Sequence, residues 1–231
     1  MTRIVNNCVA LVCLCLFWGQ SLRAADASHS EQIKWGNESV FNEEHNTLGL
    51  FSGVLGGQIV LAGGTSDDYS RWGRNAVCLS ENAGFALYED VLSKPLAYGA
   101  SITLSDGILC IGGRDSSQCY KDVFLVTMQQ GKLNVSEDWP PLPFPLSNAA
   151  GALLDNKVYL FGGRKSVSPS RLSDSFFVLD LSNKSRGWKE LPGYPGCVRE
   201  DAILVVQNNG VSPCLYLLGG QTETEEGLSS C

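Results

Sequence analysis

Four Gly-Gly pairs, each closing a short apolar run, mark the chain at nearly even intervals. "QIVLAGG" ends at Gly64, "ILCIGG" at Gly113, "VYLFGG" at Gly163 and "LYLLGG" at Gly220. The first glycines of successive pairs lie 49, 50 and 57 residues apart, the last interval being stretched by "NNGVSP" (Asn208 to Pro213). A period of this size made of short apolar runs predicts the blades of an all-β propeller rather than helical repeats.

Each copy reads as four strands. "PLAYGASITLSDGILCIGG" (Pro95 to Gly113) and "PLSNAAGALLDNKVYLFGG" (Pro145 to Gly163) share a Pro-Leu lead-in, an apolar run, a polar turn and a second apolar run. Asp106-Gly107 and Asp155-Asn156 at the turns are hairpin signals. "KDVFLVTM" (Lys121 to Met128) and "SDSFFVLDL" (Ser173 to Leu181) supply third strands, and Trp139 and Trp188 mark fourth strands, where they are expected to pack between blades. Glycine suits strand ends that need positive φ or close approach.

Gly-Gly after an apolar strand, an Asp-led third strand and a later Trp resemble the kelch repeat, over nearly the whole chain beyond the leader. The wording of the first two blades, "FSGVLGGQIVLAGG" and "KPLAYGASITLSDGILCIGG", is similar to the cyclically permuted mutarotase group, kin to the periplasmic N-acetylneuraminate epimerases. That resemblance implies a six-bladed propeller acting on sialic acid anomers, an isomerase needing no cofactor. About three and a half of six blades are expected here, over residues 26–231, with "IKWGNESV" (Ile33 to Val40) as the fourth strand of a blade begun elsewhere. A six-bladed disc needs on the order of 300 residues at this period, so the chain reads as a piece of a longer propeller whose open strand edges favour self-association.

The N-terminus, with Arg3, an apolar stretch from Cys8 to Trp18 and a small-residue region through Ala25-Asp26-Ala27, has the layout of a secretory signal over residues 1–25. That stretch is shorter than the ~20 apolar residues of a spanning helix. A secreted or periplasmic protein with no stable membrane span is expected. Net charge is −7 with no Lys/Arg-rich run, which argues against nucleic acid as partner. Six cysteines follow the leader, none in a CxxC pair, and most read as small buried hydrophobes; the two histidines are His29 and His45. No metal site is expected, and the histidine ligands that a copper oxidase of similar fold would need are missing beyond His45. "NES", "NVS" and "NKS" at Asn37, Asn134 and Asn183 match glycosylation acceptors in a eukaryotic secretory route.

Strand direction places the lead-in of each blade and the loop after each Gly-Gly on one face. There the sequence puts Arg71, Arg114-Asp115 and Arg164 after the glycines, and Tyr98, Asn148 and Arg199-Glu200 at the lead-ins. Arg114, Arg164 and Arg199 are expected to converge on the central opening and hold the carboxylate of a small sugar substrate, since guanidinium forks suit carboxylates. Arg71, Tyr98 and Asn148 join them as substrate contacts, with Trp72 and Tyr120 as further stacking surfaces. Mutarotation asks one group to take the anomeric hydroxyl proton and another to protonate the ring oxygen, and Glu200 and Asp115 are the candidate catalytic carboxylates. The competing reading is a non-catalytic kelch module that binds protein or glycan.

Overall fold

The computed structural model describes residues 48–80, 84–224 and 227–231. All lie in one compact unit within Val40–Cys231. The signal segment, the "IKWGNESV" strand, Asn37 and both histidines fall outside the described residues. The described residues form three four-stranded antiparallel meanders and the opening hairpin of a fourth.

Blade one contains β1 (Phe51–Leu55), β2 (Gln58–Ala62), β3 (Ala76–Ser80) and β4 (Gly84–Tyr88). Blade two contains β5 (Ala100–Thr103), β6 (Ile108–Ile111), β7 (Val123–Gln129) and β8 (Lys132–Ser136). Blade three contains β9 (Ala150–Leu154) and β10 (Lys157–Phe161), a small excursion of β11 (Arg164–Ser166) with β12 (Arg171–Leu172), then β13 (Phe176–Asp180), a 3-10 turn and β14 (Lys189–Leu191). Blade four shows β15 (Ile203–Asn208) and β16 (Pro213–Leu218), followed by the hairpin of β17 (Gln221–Thr224) and β18 (Gly227–Ser230). The hairpin signals hold: Asp155 and Asn156 take φ of 49° and 59°, the pair of positive values a type I′ turn demands. The sequence expectation ran one strand long at Trp139, which follows β8 instead of ending it. An indole in the loop can seal the gap between blades, and Trp188 Nε1 donates to the Pro140 carbonyl at 2.9 Å across it.

The Gly-Gly pairs are the joints between blades. Gly64, Gly113 and Gly163 each donate their N–H to the lead-in carbonyl of the next blade, from Leu96, Leu146 and Arg199, at 2.9, 2.8 and 2.9 Å. The preceding glycines admit those carbonyls. A Cβ on Gly63, Gly112 or Gly162 would stand 2.2, 2.2 or 2.4 Å from the same three oxygens. One residue pair therefore ends a strand, turns with positive φ and clasps its neighbour.

A second repeat runs nearer the axis. Gly49, Tyr98, Asn148 and Asp201 occupy the same place in four successive lead-ins, all at positive φ between 54° and 63°. Tyr98 N–H donates to Gly49 O at 2.7 Å, Asn148 N–H to Tyr98 O at 2.7 Å, and Asp201 N–H to Asn148 O at 3.0 Å. This belt of backbone bonds carries the side chains of Tyr98, Asn148 and Asp201, with Gly49 in the same place in blade one.

Between blades the faces are apolar. Phe51, Val60, Ile108, Phe124 and Val126 join blades one and two; Leu109, Ile111, Leu160, Phe177 and Leu179 join two and three. Leu204 with Val206, Leu215 and Leu217 packs blade four on blade three. On the opposite face of that hairpin Ile203, Tyr216 and Leu218 stand exposed, as strand alternation requires. Cys78, Cys110 and Cys119 are buried, as expected of small hydrophobes, while Cys197 and Cys231 form a disulfide. Desolvation pushes all three buried thiols up from their ordinary pKa.

The joint can be tested by two alanines at equally positive φ. Gly131→Ala, with nothing within 4 Å of its new Cβ, should cost about 1 kcal/mol of backbone strain. Gly112→Ala drives a methyl group into the Leu146 carbonyl and should cost about 3 kcal/mol or more, read as the difference between urea-denaturation midpoints.

Candidate functional site

Isolated backbone bridges at the inner end of each blade pair a lead-in residue with the residue after Gly-Gly: Leu48 with Thr65, Ala97 with Arg114, Ser147 with Arg164, and Glu200 with Gln221. Arg114 and Arg164 are thus register equivalents in neighbouring blades. With the belt beside them, they line a cavity of about 250 Å³ together with Tyr69, Tyr98, Asn148, Val167, Glu200 and Asp201. Its lining is polar, a form suited to a small hydrophilic ligand.

The two arginines have different surroundings. Arg164 is neutralised: its Nε donates to Glu200 Oε2 at 2.8 Å, its second terminal nitrogen bonds Glu200 Oε1, and Glu223 lies 3.4 Å away. Glu200, only 4% exposed, is buried by this clasp. Unpaired at such depth it would be costly, which accounts for the fork. Arg114 instead lies over two aromatic faces, 4.7 Å from the Tyr98 ring centre and 5.1 Å from that of Trp72. It makes one long hydrogen bond, from Nη1 to the Asp115 carbonyl at 3.4 Å, and no carboxylate lies within ion-pair distance among the described residues.

Tyr69 and Tyr98 stack at 6.5 Å with their planes 20° apart, and Trp72 donates its indole N–H to Tyr69 O at 3.1 Å. Burial first, then the hydroxyl contact with Tyr69, raises the Tyr98 phenol, so it stays protonated at neutral pH. The cavity wall therefore combines an aromatic shelf with a cation lying over it.

Three sequence candidates sit elsewhere. Arg199 does not reach the opening: 7% exposed, it donates to the Gly219 carbonyl at 2.8 Å and the Cys197 carbonyl at 3.3 Å, and lies over the Tyr194 ring. It stands two positions before the belt residue Asp201, and at a lead-in that offset turns a side chain away from the axis. Asp115 anchors its own turn. Burial raises its pKa, but the Tyr120 hydroxyl and the N–H groups of Ser117 and Gln118 outweigh that and hold it down to about 2, making it a weak base. Tyr120 is occupied in that turn instead of lining the cavity. Arg71 is exposed outside the cavity lining, and its carbonyl accepts the Thr65 hydroxyl at 2.7 Å.

The sequence reading missed Asp201. The backbone bonds that make Arg199 the equivalent of Leu96 and Leu146 align "VREDAI" with "PLAYGA" and "PLSNAA", and this sets Asp201, not Arg199 or Glu200, opposite Tyr98 and Asn148. Its carboxylate accepts from Asn148 Nδ2 at 2.8 Å. Desolvation by the surrounding protein, reinforced by Glu200 and partly offset by Asn148, Arg164 and Arg114, raises its pKa above the ordinary carboxyl range. Asn148 Oδ1 is buried and lacks a hydrogen-bond partner. Among the described residues no group of three His, Cys, Asp or Glu is placed to hold a metal ion.

Repeat, fold and axial cavity define the class: the chain is a kelch-type β-propeller, and a kelch-motif family model matches residues 145–192, which span blade three and its lead-in. In sequence it is similar to N-acetylneuraminate epimerases. The Vibrio cholerae protein of that name is 31% identical over 106 residues, 46% of this chain and 25% of its own length. The Yersinia pestis protein is 32% identical over 89 residues, 38% of this chain and 20% of its own, and the Haemophilus influenzae protein 30% over 92 residues, 40% and 22%. The matched stretch thus spans a quarter or less of those relatives. The solved structure of YjhT superposes with a TM-score of 0.59 at 12% identity, covering 79% of this chain and 68% of that one, a likeness of fold.

The new place of Arg199 changes what its removal should do. Arg199→Ala strips buried bonds from the Gly219 strand end and is expected to lower Tm by about 5 °C in a thermal melt. A ligand-binding role alone would leave Tm in place.

Proposed function

We propose that the protein is an exported sugar-acid mutarotase, speeding exchange between the anomers of N-acetylneuraminate or a close analogue by acid/base ring opening. The observation that carries this reading is the axial cavity. It brings Arg114, which lies over two aromatic rings and has no carboxylate within ion-pair distance among the described residues, into one lining with the acidic group Asp201. A sialic acid brings a carboxylate for the guanidinium, C–H faces for the aromatic shelf and an anomeric centre for the acid/base group. The named epimerase relatives support the substrate class. The leader layout and the Cys197–Cys231 disulfide support export, since such bonds persist in oxidising compartments.

The three-arginine clamp expected from sequence reduces here to one cation. Arg164 is spent on Glu200 and keeps that carboxylate in place, and Arg199 braces the fourth blade. A charge-assisted pair in a sheltered site contributes about 1.5 to 3 kcal/mol, so Arg114→Ala should weaken N-acetylneuraminate binding about tenfold or more by calorimetry. Exchange NMR on the same sugar should show anomer interconversion faster than the spontaneous rate. A purely binding propeller would hold the sugar and leave that rate unchanged.

A further inference from the structure

Two carboxylates line the axial cavity, and the structure separates their roles. Glu200 has both oxygens bonded to Arg164. Asp201 accepts a bond from Asn148 Nδ2, and no arginine lies within ion-pair distance of it among the described residues. Its position is set by backbone instead: φ of 54° and an N–H bonded to Asn148 O at 3.0 Å fix it in the belt. The groups that face it are Asn148 and Tyr98 of the neighbouring lead-ins, Arg114 and Arg164 after the Gly-Gly turns, and Glu200 beside it.

We propose that Asp201 is the catalytic residue for ring opening and works alone, as a one-carboxylate proton relay. The proposal rests on the mutarotase reading above and replaces its two-group scheme. In a cyclic sugar the anomeric hydroxyl oxygen and the ring oxygen are bonded to the same carbon, so one carboxylate reaches both. Ionised Asp201 takes the proton of the anomeric hydroxyl as that oxygen becomes a carbonyl. The bond from the anomeric carbon to the ring oxygen breaks, its electron pair goes to the ring oxygen, and Asp201 returns the same proton there. The open keto form turns its other face, the hydroxyl re-attacks, and the proton retraces its path. Nothing is oxidised, no proton is gained or lost overall, and Asp201 ends as it began.

The surroundings suit this task. A relay must be basic enough to take a proton and acidic enough to give it back, and Asp201, open to the cavity yet raised by the protein around it and by Glu200, is nearer that balance than an ordinary carboxyl. Asn148 holds it in place through one N–H without neutralising it. Arg114 is placed to hold the substrate carboxylate, which is bonded to the anomeric carbon of a sialic acid, so that carbon is brought to the belt.

The test is exchange NMR on N-acetylneuraminate with the purified protein and its Asp201→Asn variant. The variant should lose at least a hundredfold of the catalysed rate, bind the sugar within about threefold of the parent by calorimetry, and keep its Tm. Because Asp201 must start ionised, the parent's catalysed rate should fall as pH drops through a value above the usual carboxyl range, along a single acidic limb. A parent that accelerates exchange while the variant does so equally overturns the relay and leaves the mutarotase reading standing. A variant that loses binding in step with rate overturns it as well, since Asp201 would then hold substrate. The parent's profile needs no variant: a catalysed rate flat across the acid range, or one with a second limb at neutral pH, overturns the single relay. A parent showing only the spontaneous rate removes the mutarotase reading and the relay together.

Discussion

The bond from the second glycine of each of the first three pairs to the next blade's lead-in carbonyl is the contact on which the rest of the molecule depends. Apolar faces alone would let neighbouring blades slide, because Leu, Ile and Phe surfaces bury well over a range of offsets. The carbonyls of Leu96, Leu146 and Arg199 remove that freedom, each lodged where a Cβ is forbidden. With the offset set, the lead-in residues that follow fall at the same height in every blade. The axial cavity is a product of that alignment.

Charge is distributed at the axis according to what each group holds. Arg164 and Glu200 satisfy each other in a partly buried fork, and Asp115 is consumed by its own turn. What faces the cavity is an arginine stacked on aromatic rings and an aspartate pinned by an amide. In a protein of net charge −7 the anionic sugar proposed as ligand would need such a local inversion, because the long-range field of the chain disfavours an anion and only short-range pairing in a sheltered site offsets it.

The fold was legible because its signals are local. Gly-Gly spacing, two-residue turns and Trp positions are each written within a few residues, and they located blades two and three to within a strand's end. Five of eight proposed contacts, Tyr98, Arg114, Asn148, Arg164 and Glu200, meet in one cavity because strand direction is enough to assign a loop to a face. Arg71, Asp115 and Arg199 do not, since direction says nothing of where a side chain points within its loop. Asp201 was hidden by a one-residue register error at "RED". In the fourth lead-in, "VREDAI", Val198 stands where Pro95 and Pro145 stand in the others, so the proline that sets the count is missing.

The belt imposes a filter on chemistry that no single blade reveals. A left-handed backbone is cheap for glycine, tolerable for asparagine and aspartate, and poor for β-branched residues. Gly49, Asn148 and Asp201 follow that preference, and Tyr98 departs from it where its ring stacks on Tyr69 and lies under the Arg114 guanidinium. Selection at these positions is therefore drawn from a short alphabet of amides and carboxylates before any ligand is considered. A propeller of this pattern can change its specificity one letter at a time along its axis, leaving the joints untouched, and the letters it can most readily write are those that move protons and hold sugar hydroxyls.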